Sequence, residues 1–432
     1  MFEVSILFIF IISLVFSVFV EFSLIIPLIF GLLIFSLYAK IKKFSCRDIL
    51  HMYLEGIMKV KNVVITLFII GILTGVWRAS GTISFIIFHA SKFVIPQIFI
   101  AITFLLCSLI SFLIGTAFGA AATMGTICMM MGQSMSIDPI ILGGAILSGV
   151  YFGDRASPMS TSALLISELT NTNLFENIKK MMKVSIIPFV LTILIYIVIG
   201  FLNIKSNDIN TSVADLFKEN FNLSLVTIIP TIIIIIFSIF KVNVRKTMIL
   251  SVLAGSLICI YIQDMNIREL LKVYIHGYKS NNIELNAILA GGGVVSMFKV
   301  IGIVSISSTY IGIFNNTSLI TGIKSNVLNL SKKINYYLTI TIVSIFTSMM
   351  SCNQTLSIML THQLCDDIVD DKEKFAIILE NTVVLIAPMI PWSIASAVPL
   401  ATVGANSRSI LYAYYLFLVP IYNYLRDKKI NY

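Results

Sequence analysis

Gly149-Val-Tyr-Phe-Gly-Asp-Arg-Ala-Ser-Pro-Met-Ser-Thr-Ser162 is the stretch on which the reading of this chain turns. It follows the apolar run Ile140 to Leu147 and sets two opposite charges, Asp154 and Arg155, just ahead of a proline. Pro158 has no amide hydrogen to donate, so a helix arriving from Ile140 is expected to break at Ser157-Pro158, with Gly153 as a further break point. Carbonyls freed there, joined by the hydroxyls of Ser157, Ser160, Thr161 and Ser162, form an oxygen-rich surface suited to a cation such as Na+. The same small side chains also suit close helix packing, and both readings stay open. A carboxylate at membrane depth is tolerated only where it faces a cavity or a partner, which makes Asp154 the leading ionisable candidate. The plainer alternatives pair it with Arg155 at the membrane edge or make it a helix cap before Ser157.

Outward from that stretch the chain is almost entirely lipid-compatible. Of 432 residues, 58% are hydrophobic and 12% charged, with a mean hydropathy of +0.97. Such a chain has too little polar surface to solvate itself as a globule in water. Apolar runs recur from end to end, each needing about 20 residues of helix to satisfy its backbone in hydrocarbon. The expected spans are Val4 to Val20, Phe22 to Ala39, Val63 to Trp77, Ile98 to Ile114, Val184 to Leu202, Leu223 to Phe240, Met248 to Ile262, Ile288 to Ile313, Tyr337 to Ser351 and Ile410 to Leu425. The first run lacks a basic residue before it and a cleavage pattern after it, so it reads as a retained span. Residues 115–165 and 352–402 are apolar but interrupted by Gly, Pro, Ser, Thr and acids, as re-entrant or unwound helices are.

The net charge of +9 sits in short loops beside apolar runs, where it orients the protein and gives no reason to expect a nucleic-acid partner. Five basic loops (Lys40 to Lys61, Lys179 to Lys183, Lys241 to Lys246, Lys324 to Lys333, Arg426 to Lys429) are expected on the cytoplasmic side, with both termini there. The mixed-charge loops Ile204 to Asn222 and Gln263 to Asn286 fit the outside. A shift of 233 lays Pro158 on Pro391 and Ser160 on Ser393 and roughly superposes the flanking spans. On the basic-loop map the superposed spans run in opposite directions. The expectation is an all-α polytopic membrane protein of about 11–14 transmembrane or re-entrant helices, in two inverted-topology repeats with broken helices. Its parts are an N-terminal two-helix hairpin and loop (1–62), a first repeat (63–203), connecting helices (204–287) and a second repeat (288–432).

Other polar positions fall in the two interrupted regions. Gly115-Thr-Ala-Phe-Gly-Ala-Ala-Ala-Thr-Met-Gly-Thr126 permits close backbone approach to a helix or a ligand, with hydroxyls at Thr116 and Thr126. Its counterpart, Ser348 to Thr355, offers Asn353, Gln354 and Thr355. Glu380 and Asn381 precede Ala387-Pro-Met-Ile-Pro-Trp-Ser393, where Pro388 and Pro391 mark the second break. Glu380 reads either as a second buried carboxylate or as a helix-end residue near the solvated stretch Asp366 to Lys374. Trp392 reads equally as an interface anchor or a gate. Lys299, like Arg155, could neutralise a carboxylate or bind an anion, or it simply snorkels. Six scattered cysteines and four histidines show no metal or disulfide spacing, and no catalytic constellation appears, which argues against an enzyme.

These residues resemble the NhaC-type sodium/proton antiporter family of bacteria. The matching pieces are Trp77 to Thr82, Gly115 to Gly119 with Thr123 to Thr126, Ser148 to Ser160, Thr170 to Phe175, Gly291 to Met297 and Ile390 to Trp392. The resemblance implies Na+/H+ exchange at a bacterial inner membrane, or in related members exchange of an organic acid such as malate against lactate. It places Asp154, Ser157 and Ser160 in the ion path and calls for no cofactor. Membrane lipid, Na+ and H+ or a small organic solute are the implied partners, and a homodimer stays open. One departure matters: the family pattern continues Ser-Pro-Leu-Ser-Asp-Thr, and the acidic position here is Thr161. The alternatives are an ion-coupled carrier of a small carboxylate or amino acid and, from another class, a non-transporting scaffold or sensor.

Overall fold

The computed structural model describes residues 2–20, 23–90, 95–203, 211–240, 242–317 and 324–430. Lys241 and the first part of the loop expected outside, 204–210, lie outside the described residues, as do the side chains of Lys428 and Lys429. Helices account for the regular structure of what is described, with one isolated antiparallel bridge between Tyr278 and Gly291. Four helices, Cys46–Ala79, Pro96–Ile114, Leu174–Asn203 and Val294–Phe314, are long and apolar enough to cross a membrane alone. Lys372–Met389 and Ile394–Val403 qualify as a pair bent by 56°. The protein is therefore all-α and polytopic, and much of its hydrophobic length lies in helices that are short or broken.

Glycine sets how closely the helices approach. A Cβ on Gly153 would lie 2.2 Å from the Phe112 amide nitrogen, and one on Gly149 would lie 2.6 Å from the Phe104 carbonyl oxygen. The Pro139–Ala156 helix thus lies backbone to backbone on Pro96–Ile114. Gly153 is consequently not a break: it sits inside a continuous helix whose packing needs a missing side chain, and the interruption is at 157–160. Three further expected spans are shorter than their apolar runs. Ile288 to Ile313 starts in the short helix Ile283–Leu289, breaks, and resumes as helix only at Val294, because Gly291, Gly292 and Gly293 take φ of 129°, 77° and 78°. Leu223 to Phe240 enters through a 3-10 turn, Leu225–Ile228, and Ile410 to Leu425 through Ser407–Tyr412 before its helix begins at Tyr414. In the other direction, Cys46–Ala79 is one continuous helix through residues 62 and 63.

The shift of 233 reappears in the element boundaries. Asp138 caps Pro139–Ala156 by accepting from the Ile140 amide, and Asp371 caps Lys372–Asn381 by accepting from Glu373 and Lys374. Ser160 caps Thr161–Thr170 and Ser393 caps Ile394–Val403. The helices Pro139–Ala156 and Lys372–Asn381 both touch Leu174–Asn203. Arg155, at the end of the first, donates to Met181 O and Ser185 Oγ near the start of Leu174–Asn203, and Ser148 meets Tyr196 farther along it. Glu373, at the start of the second, pairs with Lys180 at that same starting end.

Candidate functional site

Four breaks bring four chain segments to one place. Pro96–Ile114 ends at Gly115 (φ 74°) and Tyr336–Ser351 ends at Cys352 (φ 55°), both left-handed, so each chain turns sharply and restarts at once. The restarts are Ala117 and Gln354. Beyond the other two breaks, Thr161 and Ile394 open new helices. The second of these is tied down where the Ile394 amide donates to Cys352 O at 2.8 Å and the Trp392 indole to Met349 O at 2.9 Å. Trp392 is buried in that tie.

Between the restarts lies a cavity of about 210 Å³ whose wall includes Thr116, Asp154, Thr161, Asn353, Gln354 and Thr355. Asp154 is 6% exposed and is the one acid on that wall among the described residues. Its Oδ1 accepts from the Ala117 amide at 3.3 Å and its Oδ2 from Ser162 Oγ at 3.3 Å, and the Gln354 amide side chain also reaches it. Gln354 in turn donates to Val384 O at 3.1 Å, so the carboxylate is linked to both halves. Tyr151 stands one turn before Asp154 and closes the wall by donating to Ala395 O at 2.7 Å. Helix starts favour negative charge, and Asp154 is the charge they surround here.

A larger cavity, about 440 Å³, adjoins the first and shares Val63, Thr116, Phe118 and Thr161 with it. Its other end is marked by Asn62, Asn243 and Arg245, with Arg245 donating to Asn62 Oδ1 at 3.0 Å. The Asp154 cavity thus has an antechamber reaching toward one end of the bundle.

Not every candidate reaches this cavity. Ser157 accepts from the Met159 amide and Ser160 from those of Ser162 and Ala163, so both shape the turn. Pro158 and Pro391 sit in the breaks and Pro388 in a 3-10 turn, all off the wall. Thr126 bonds back to the Ala121 and Ala122 carbonyls in its own helix. Arg155 is buried and points away from Asp154, toward Ser185, Met181 and Tyr415, instead of pairing with its neighbour. Glu380 and Asn381 lie in a separate polar region, and Lys299 is exposed beside Phe298 on the outside of the bundle. Arg245 and Tyr151 were missed as site residues. Tyr151 was legible from its i, i+3 spacing to Asp154, whereas Arg245 carries no local signal beyond membership of a basic loop.

A family model described as the Na+/H+ antiporter family matches residues 149–424, beginning at the glycine that opens the Asp154 stretch. The chain belongs to the Na+/H+ antiporter family. Over 389 residues, 88% of this chain and 83% of the relative, it is 26% identical to the malate-2H(+)/Na(+)-lactate antiporter of Bacillus subtilis (strain 168). It is 25% identical to the Na(+)/H(+) antiporter NhaC of Alkalihalophilus pseudofirmus over 406 residues, 91% and 88% of the two chains. The arginine/ornithine antiporter ArcD of Halobacterium salinarum is 26% identical over 368 residues, 82% and 76%. The NhaC-type resemblance is met, and the antiporter is a multi-pass bacterial membrane protein and a secondary active transporter.

Proposed function

We propose that the Asp154 cavity is a single site occupied in turn by Na+ and H+, and that this alternation is the coupling. What supports it is one buried acid, held by 3.3 Å contacts from Ala117 and Ser162 and reached by Gln354, on a wall that also carries hydroxyls and amides. A cation beside that carboxylate gains about 4 kcal/mol at 4 Å and an effective dielectric of 20. Each helix start opposes it by about 0.3–1 kcal/mol. The carboxylate therefore decides the sign of what binds, and the oxygens of Thr116, Thr161, Asn353 and Gln354 complete the shell. A proton on Asp154 removes the charge and with it the reason for Na+ to stay, so the two exclude each other. With the basic loops and both termini cytoplasmic, the Arg245 antechamber is the inward route. Closing it while opening the opposite end completes the exchange, with no cofactor.

Labelled Na+ counterflow in proteoliposomes, at equal pH on both sides, tests this. Acidification is expected to raise the half-saturating Na+ concentration while leaving the maximal rate unchanged. A pH-independent half-saturation contradicts a shared site.

A second reading draws on the helix starts at Thr161, Gln354 and Ile394 together with Arg245 in the 440 Å³ antechamber. Positive helix ends and a guanidinium suit a small carboxylate, and the space exceeds what a bare ion needs. In this reading Arg245, not Lys299 or Arg155, is the anion's partner. Acceleration of Na+ counterflow by a small hydroxy acid, abolished in Arg245→Gln, would select it.

A further inference from the structure

Glu380 takes no part in the site above, yet it is 1% exposed, and its Oε2 has no hydrogen-bond partner among the described residues. The next side chain, Asn381, is 2% exposed with its Oδ1 equally unpartnered, and it forms part of the wall of a separate cavity of about 330 Å³. That cavity opens where Lys183 and Arg426 stand beside two ion pairs, Lys180–Glu373 and Lys374–Asp427. Its wall includes neither Asp154 nor any other residue of the Asp154 cavity. Two charges act on Glu380, and both come from the Pro139–Ala156 helix: Arg155 and Asp154. The other helices packed on Lys372–Asn381 carry Glu168, Lys180, Lys183, Tyr337, His362, Arg426 and Asp427, and among the described residues none of these forms an ion pair with Glu380.

From this we propose that Glu380, with Asn381 beside it, is a second proton-binding site, filled by way of Asn381 and the cavity Asn381 lines, from the end where Lys183 and Arg426 stand. A buried acid with an unpartnered oxygen is costly as an anion and cheap once a proton covers that oxygen. Arg155 is the positioning residue. Held by Ser185, Met181 and Tyr415 but with its Nε unpartnered, it offers compensating charge when the proton leaves. Because Asp154 is the neighbour of Arg155 in sequence and also acts on Glu380, filling one carboxylate with a cation makes loss of the proton from the other easier. The proton comes from water in the cavity and returns to water, so one turnover moves one more proton than competition at Asp154 alone provides. A chain with Thr161 in place of an acid on the first wall thus carries its second acid in the other repeat.

This inference rests on the proposed ion site at Asp154, and the test separates the two. In proteoliposomes with a potassium-ionophore potential, Na+-driven proton flux of the wild type is expected to change severalfold with the potential. Glu380→Gln, close in shape to the protonated acid, should keep Na+ counterflow and its competition by protons. It should lose the potential dependence and move one proton fewer per Na+, and Glu380→Asp should restore both. Infrared difference spectra on changing pH give an independent readout: a carboxyl C=O band should vanish in Glu380→Gln and persist in Asp154→Asn. Unchanged potential dependence and an unchanged band in Glu380→Gln would overturn the proposal and leave the Asp154 reading intact. Loss of Na+ counterflow itself in Glu380→Gln, restored in Glu380→Asp, would also overturn it by placing Glu380 in the Na+ step. Failure of the Asp154 reading looks different, since Asp154→Asn would then keep Na+ counterflow.

Discussion

At the end of the Pro139–Ala156 helix stands Asp154; the same shift that aligns the two halves lands on Ala387 in Lys372–Met389, and that segment's own acid, Glu380, lands on Leu147. Pro158 and Pro391, Ser160 and Ser393, and Asp138 and Asp371 match in kind, and the caps match in hydrogen bonding. Backbone punctuation matches at this shift while the charges do not. Inverted repeats need equal frames so that one half can rock against the other, but they need only one ion site between them. Each acid is therefore free to stand at a different depth in a different polar region.

The largest effect should come where the halves differ in packing. Gly153→Val drives a side chain into the Phe112 and Ser111 backbone and should cost about 3 kcal/mol, read as a lower melting temperature in detergent. Gly302→Ala in the other half, with open space around it, should stay within about 0.5 kcal/mol. An effect of equal size at both would break the contrast. Next comes chemistry: Thr161→Asp puts a second acid on the cavity wall and should lower the half-saturating Na+ concentration about tenfold, or roughly 1.4 kcal/mol. No change there would mean that Thr161 faces the cavity without facing the ion. Smallest are the matched caps. Ser160→Ala and Ser393→Ala should each cost about 1 kcal/mol of thermal stability and differ by less than about 0.5 kcal/mol. A clear inequality would mean that the two breaks bear unequal loads.

Much of the frame was legible because proline, serine caps and apolar run length act locally. Ser157-Pro158 announced its break, and the match of Pro158 with Pro391 and of Ser160 with Ser393 recurs in the element boundaries. Asp154, Thr161, Asn353, Gln354 and Thr355 were legible as polar residues in apolar surroundings, and they do share one wall. What local sequence does not carry is direction. Arg155 follows Asp154 but points to another helix, Thr126 turns back onto its own, and Lys299 faces outward. Gly153 misled because a glycine that lets two helices touch has the same letter as one that bends a chain. The separation of Glu380 from Asp154 depends on how distant helices stack, which spacing along the chain cannot express.

The central claim is that Asp154 alternates between Na+ and H+. Its most direct test is lumenal pH in proteoliposomes holding a proton gradient, followed as Na+ is added, with wild type and Asp154→Asn side by side. The account predicts that Na+ collapses the gradient in wild type and leaves it standing in Asp154→Asn, with the variant folded and inserted. A variant that still collapses the gradient, or a wild type that ignores Na+, would contradict it.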